Sequence, residues 1–203
     1  MIFLKYIAHR GVWNKKKEQN TLTSFLLAIK DERFIGFELD VRMNKEKDFF
    51  IYHDYLYKGS PIKTYDSKFL KDNNIPTLDS ILKLNHNKII LIEIKDYDLD
   101  VNKFITLLNK YKNEKIYIMS FNNKVIEKIF KKTKNYKIGI LNYIINSQIN
   151  YSYDFICLLN STITEKIISK YRSNNIEVFS YGILNKDELK HKNIKYIIDS
   201  SKL

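Results

Sequence analysis

Short β-rich runs alternate with longer amphipathic segments along the chain, and this alternation constrains the fold more than any other feature. Candidate strands fall at residues 3–8, 35–41, 49–53, 88–94, 115–119, 136–141, 155–159, 176–181 and 196–198. Candidate helices fall at 21–31, 77–83, 101–112, 123–132, 164–174 and 185–191. In the first of these, Leu22, Phe25, Leu26 and Ile29 recur at helical spacing. Thr77, directly after Pro76, is placed to cap the second. Strands alternating with helices imply a mainly parallel sheet, because parallel neighbours need a crossover connection. Residues 42–48 are too few for a crossover helix, so one strand of that pair is accessory. Eight strands remain, which suits an α/β fold of the TIM (β/α)8 barrel type. Such barrels typically have about 250 residues; this chain has 203, so a compact barrel with abbreviated helices is predicted. An open doubly wound sheet is the alternative. One core is the default at this length, and 1–203 is read as a single domain. Residues 143–152, mainly Asn, Ile and Tyr, are the hardest stretch to assign.

Two of the strands carry polar groups where a core strand should not. Glu38-Leu39-Asp40 and Glu93-Ile94-Lys95 each place two functional side chains at i and i+2 between apolar residues. A strand alternates faces with a period of two, so each pair projects to one side. Acids on the inward face of an apolar strand are costly unless a metal or another cation compensates them. His9 ends the first apolar run, in Ala8-His9-Arg10-Gly11, and His53 ends another, in Ile51-Tyr52-His53-Asp54. Carboxylates, imidazoles, an Arg and a Lys at strand ends suit a metal site with acid/base partners and phosphate grips. Hard cations take oxygen ligands, so three carboxylates favour Mg²⁺ or Ca²⁺. Zinc is disfavoured, since no Cys/His cluster has ligand spacing. Asp96 follows Lys95 and is expected to point outward, off the ligand set. His86, in a polar turn, and His191, among lysines, read as solvated. Trp13 and residues 55–57 either pack or line the mouth.

Composition narrows the class. The single Cys157 excludes an internal disulfide framework and sits in an apolar strand, as a structural thiol would. No apolar run approaches the roughly 20 residues of a membrane span. Lys5, His9 and Arg10 interrupt the amino-terminal apolar run before it could act as a signal peptide, so a cytoplasmic location is expected. The net charge of +12 would suit nucleic acid or an anionic membrane. The lysines are scattered, however, and lack the aromatic interleaving of a single-strand binder. No nucleic-acid partner is expected. The basic surface leaves room for peripheral membrane contact and for drawing in an anionic substrate.

In order, the motifs are His9-Arg10-Gly11, Asn20-Thr21 ahead of Phe25, Glu38-Leu39-Asp40-Val41, His53-Asp54, Ile75-Pro76-Thr77-Leu78, Glu93-Ile94-Lys95 and Ser120-Phe121. This ordered series resembles the glycerophosphodiester phosphodiesterase family, densely up to Phe121 and thinly afterwards. The resemblance implies a TIM barrel with its site at the carboxyl ends of the strands, and a divalent cation, usually Mg²⁺ or Ca²⁺. It implies that Glu38, Asp40 and Glu93 hold the metal, that His9 and His53 are the general acid and base, and that Arg10 and Lys95 hold phosphate. Asp54 matches the acid after the second histidine. Which histidine begins as base is not set by the sequence; His53 as base and His9 as acid is preferred here. The implied activity is hydrolysis of small glycerophosphodiester substrates to glycerol 3-phosphate and an alcohol, with a cyclic phosphate as the expected intermediate. Two alternatives share the site. One is a head-group phospholipase or cyclising lyase on lysolipid or surface-polymer phosphodiesters. The other is a catalytically silent barrel that binds a phosphate ligand.

The chain also departs from the family pattern. Gln19 stands where the family has a glutamate, and Glu18 where it has a proline. Phe179-Ser180 replaces a Trp-Thr pair, and Ile198-Asp199 a closing Thr-Asp. Only residues 55–74 separate the His-Asp and Ile-Pro-Thr-Leu motifs, so the inserted subdomain of some members is missing and the mouth should be more open.

Overall fold

The computed structural model describes residues 4–84, 86–111, 115–144 and 152–203, apart from the side chain of Lys17. Eleven strands are formed among them: β1 Lys5–Ala8, β2 Phe34–Met43, β3 Phe49–Ile51, β4 Leu56–Tyr57, β5 Ser60–Pro61, β6 Ile89–Ile94, β7 Ile116–Met119, β8 Lys137–Asn142, β9 Phe155–Leu159, β10 Glu177–Tyr181 and β11 Lys195–Ile198. The helices are α1 Leu22–Lys30, α2 Ser67–Asp72, α3 Leu78–Leu82, α4 Val101–Leu108, α5 Asn123–Lys132 and α6 Glu165–Arg172. The order β1-β11-β10-β9-β8-β7-β6-β2 is parallel throughout, and β1 also pairs with β2. That pairing closes eight strands into a TIM barrel and rules out the open doubly wound sheet. β3 runs antiparallel to the end of β2 and is the accessory strand.

Side chains alternate across the barrel wall as the strand period demands. Ile7, Leu91, Tyr117, Met119, Leu141, Phe155, Cys157, Phe179 and Ile197 fill the interior. The intervening residues, such as Phe37, Leu39, Ile90, Ile92 and Ile118, meet the apolar faces of the helices. Large rings fit inside a small barrel because Gly139 yields its place: a Cβ there would lie 2.6 Å from the Phe155 ring. Cys157 is fully buried in this layer, and burial pushes its thiol well up, as expected for a structural thiol. At the amino-terminal end, Lys195 pairs with Glu177, which also accepts from the Tyr117 hydroxyl at 3.1 Å.

Helix ends follow the sequence signals. Thr21 and Thr77 cap α1 and α3, accepting from the N–H groups of Ser24 and Ser80. Two expectations change. Residues 185–191 form only a 3₁₀ turn at Lys186–Glu188. With Leu189 their only apolar side chain, they have no face to bury, and so short a helix needs one. Residues 55–74, to which no strand or helix was assigned from the sequence, contain the β4–β5 hairpin and α2. Asp66 caps α2, whose Phe69 and Leu70 join Phe50, Ile62 and Ile75 in a small separate core. Residues 145–151, most of the stretch without assignment, lie outside the described residues.

Candidate active site

The carboxyl ends of the strands bring the sequence-predicted residues together. Glu38 and Asp40 project inward from β2, and Glu93 from β6, where the register sets Asp40 opposite Glu93. One oxygen from each acid lies within 4.8 Å of the others. Glu38 and Asp40 are 1% exposed and Glu93 8%. Lys95 donates to Glu93 Oε1 at 2.6 Å and sits 3.1 Å from Asp40 Oδ1. Arg10 places its Nε 3.1 Å from Asp40 Oδ2.

Three carboxylates thus face two cations, one negative charge in excess, and burial and the placement of the cations decide which acid holds its charge least well. Burial raises Glu38 well above the usual carboxylate range, and Asp40 and Glu93 push it further. Burial also raises Glu93, with Asp40 adding to the effect. Burial would raise Asp40 too, but Lys95, Arg10, His53 and the Asn20 amide outweigh it and hold Asp40 low. Glu38 Oε2 accepts from the Arg10 backbone N–H at 3.1 Å, while its Oε1 is buried without a hydrogen-bond partner. An orphaned carboxylate oxygen beside two more carboxylates is a donor set that could hold a hard divalent cation.

Each histidine is oriented by an acid. His9 Nδ1 lies 2.6 Å from Asp199 Oδ1, and its Nε2 faces Glu38 Oε2 at 4.0 Å. Burial opposes ionisation of Asp199, yet the hydrogen bond from His9 and the nearby Lys202 bring it down to about 2. An ionised Asp199 can only accept, so Nδ1 carries the proton and Nε2 is left to the site. His53 Nδ1 bonds Asp54 at 2.7 Å. Burial lowers His53, and its hydrogen bond lowers Asp54. A cavity of about 730 Å³ opens over Arg10, Gln19, Asn20, Tyr52, His53 and Tyr57, a size that admits a small molecule. A slightly larger concavity of about 800 Å³ lies outside the barrel, beside α1. It has no carboxylate cluster, so the chemistry points to the mouth.

Several positioning residues escaped the sequence reading. Asn20 donates to Asp40 Oδ2 at 2.7 Å. Gln19 accepts from Arg10 Nη1 at 2.8 Å. Arg42 donates to the His53 carbonyl at 3.0 and 2.9 Å and pairs with Asp96 at 2.9 Å. Asp96 lies outside the acid cluster and turns to Arg42, accepting also from the Met43 N–H at 2.6 Å. Asp199 was noted only as a motif remnant. An acid one residue beyond the last strand was the available signal. Trp13 donates from its indole to the His9 carbonyl at 2.9 Å. His86 and His191 are not freely solvated: His86 packs edge-on against Phe37, and His191 pairs with Glu165 at 2.7 Å.

No family model matches the sequence, and no curated protein matches it. Solved structures do. A glycerophosphodiester phosphodiesterase from Parabacteroides distasonis superposes with a TM-score of 0.81 at 17% identity, over 99% of this chain and 94% of that one. The chain has the glycerophosphodiester phosphodiesterase fold. A glycerophosphodiester phosphodiesterase from Thermotoga maritima matches at 25% identity and a TM-score of 0.75, over 96% and 93% of the two chains. An Oleispira antarctica phosphodiesterase, solved with the product sn-glycerol-3-phosphate, matches at 16% identity and a TM-score of 0.81, over 98% and 94%. Among the described residues, no helix is long and apolar enough to cross a membrane.

Proposed function

We propose that this protein is a metal-dependent phosphodiesterase that hydrolyses glycerophosphodiesters to glycerol 3-phosphate and an alcohol. The observation that carries the reading is the cluster of Glu38, Asp40 and Glu93 within 4.8 Å, flanked by Arg10 and Lys95. Those three acids would hold Mg²⁺ or Ca²⁺. A bound dication supplies Lewis-acid polarisation of a phosphoryl oxygen.

The remaining roles fall to side chains of this protein. Arg10 offers a planar fork to the phosphodiester anion and Lys95 a compact charge. His53, held by Asp54 and kept neutral by burial, takes the proton from the attacking hydroxyl. That hydroxyl belongs to the glycerol carbon next to the ester. A new P–O bond forms as the P–O bond to the alcohol breaks. His9, oriented by Asp199, gives a proton to the departing alkoxide. Water then opens the cyclic phosphate with the two histidines in exchanged roles.

The test is turnover of glycerophosphocholine with Mg²⁺, Ca²⁺ or Mn²⁺. His9→Ala and His53→Ala should each lower the rate by about a hundredfold or more while circular dichroism stays unchanged. A wild-type protein that releases no choline with any of the three metals refutes the reading. Unchanged activity in either variant removes that histidine from the mechanism.

A further inference from the structure

One side of the cavity over the acids is built by the connection between β1 and α1. Its core is a 3₁₀ turn, Lys16–Glu18, capped by Gln19, whose N–H donates to the Lys16 carbonyl at 3.2 Å. Such a turn has three residues per turn, so side chains at i and i+3 share a face. Lys16 and Gln19 accordingly both line the cavity, with Arg10, Asn20, His53 and Asp54. Glu18 leaves on another side. Its Oε2 accepts from the N–H groups of Asn14 and Lys15 at 3.2 and 3.1 Å, and it lines the concavity outside the barrel instead. The turn therefore sorts its charges: an ammonium and a neutral amide face the cavity, and the carboxylate faces away.

This sorting leaves the cavity with a cation to spare. Gln19 stands where the family pattern has a glutamate, which removes a negative charge, and Lys16 adds a positive one beside it. Among the described residues lining the cavity, Asp54 is the one carboxylate, and it is bonded to His53 Nδ1 at 2.7 Å. Arg10 and Lys95, only 14% and 15% exposed, are already paired with the buried acids. Lys16 is exposed and has no ion-pair partner among the described residues. It lies toward solvent, beyond the two cations assigned to the scissile phosphodiester. The cavity of about 730 Å³ is larger than a bare glycerol fills. A cationic group added there would meet Lys16 and Arg10 and be repelled; an anionic one would be attracted.

We propose that Lys16 and Gln19 form a second anion subsite, so that the preferred substrates carry a further phosphate on the glycerol carbon farthest from the scissile bond. The inference rests on the phosphodiesterase reading, in which His53, another lining residue, takes the proton of the attacking glycerol hydroxyl. That assignment puts the glycerol, rather than the leaving alcohol, on the Lys16 side. The middle hydroxyl stays free to attack. The net reaction is unchanged: water adds across the P–O bond to the alcohol, phosphorus gains the hydroxyl, the alcohol gains the proton, and a glycerol bisphosphate remains.

The test compares choline release from glycerophosphocholine and from the same molecule phosphorylated on its terminal glycerol hydroxyl, with the metal in excess of both. The phosphorylated substrate should have the higher kcat/KM, by roughly three- to tenfold at low salt. Lys16→Gln should bring that ratio to about one, Lys16→Glu should invert it, and Gln19→Glu should lower it. Lys132→Gln, an exposed substitution at the far end of α5, should keep it. A second pair, glycerophosphoglycerol with and without a phosphate on the leaving glycerol, fixes the side. A gain confined to that pair refutes the placement. A ratio unchanged in Lys16→Gln, or lost equally in Lys132→Gln, assigns the preference to the charge of the whole chain and refutes the subsite. Turnover with no preference in wild type overturns the subsite and leaves the phosphodiesterase reading standing. Failure to cleave any of the four diesters overturns both.

Discussion

Replacing Glu38 by Gln tests the charge balance of the site directly. Glu38 is where the excess charge is least tolerated: its Oε1 is buried without a hydrogen-bond partner, and burial with Asp40 and Glu93 raises it well above the usual range. A glutamine keeps an oxygen for the Arg10 N–H and turns an amide donor toward the other acids. In chelator, Glu38→Gln should therefore stabilise the protein by about 1–3 kcal/mol, the usual cost of a buried unsatisfied group. At this chain length that raises Tm by about 2–12 °C. Wild-type protein should instead gain from metal: about 2.7 kcal/mol at a hundredfold excess over Kd, or roughly 5–11 °C. The variant should lose most of that gain. The pH dependence has a definite sign. A carboxyl raised on folding binds a proton that the unfolded chain releases. Stability of the chelated protein is thus fullest below the ordinary carboxylate range and falls as pH rises toward the folded value of Glu38. Metal should cancel the fall. Calorimetric scans in chelator and in Mg²⁺, Ca²⁺ or Mn²⁺ measure all of this. A variant less stable than wild type in chelator, or one with an undiminished metal response, refutes the argument.

Three further outcomes are expected. Asp199, held at about 2 in the fold against an ordinary value near 3.8, contributes about 2 kcal/mol above that ordinary value, lost as pH falls toward 2. Asp199→Asn should remove this acid limb and lower kcat about tenfold or more by releasing His9; an unchanged acid unfolding curve contradicts the assignment. Gly11→Ala forces a Cβ to 2.5 Å from Ser24 Oγ at a φ of +82°, so it should cost about 2–4 kcal/mol, and an unshifted urea midpoint would refute the clash. Gln19→Glu would neutralise the Arg10 guanidinium it now only orients, so KM for an anionic diester should rise several-fold with a weaker salt dependence. Equal KM in both proteins would show that Arg10 does not meet the phosphate.

The parts of this molecule that were legible in its sequence are those set by local periodicity. Eight parallel strands follow from the alternation of strands with helices, an accessory strand from the short connection at 42–48, and the inward acids of β2 and β6 from a side-chain period of two. The cap at Thr77 follows from helix-end chemistry. What stayed hidden depends on closure. Asp199 meets His9 only because β11 pairs with β1 across the seam of the barrel. Arg42 and Asp96 meet because β2 and β6 are neighbours. Alternation set Asp96 outward from the acids, but it gave no sign of the Arg42 guanidinium and the Met43 N–H that the carboxylate bonds there. Phe121 and Tyr143, from two separate connections, stack with Tyr181 of β10 edge-on to them, and single aromatics so far apart in sequence carry no signal that they will meet.

Backbone conformation was equally hidden, and it matters most at the acids. Arg10 and Asn20 both adopt a φ of +56°, which costs a branched-out side chain about 1 kcal/mol or more. The two are joined: the Asn20 N–H donates to the Arg10 carbonyl at 3.0 Å, and Ser24 Oγ donates to the same carbonyl. In that geometry the Arg10 N–H points at Glu38, its guanidinium at Asp40 Oδ2, and the Asn20 amide at the same Asp40 oxygen. Relaxing either residue to negative φ would break one of these contacts and leave a buried carboxylate with less compensation. The acids thus hold two unfavourable backbone conformations in place, and those conformations in turn keep Arg10 aimed into the cavity. This mutual constraint explains why Gly11 must follow Arg10: the turn passes against Ser24 with no room for a side chain.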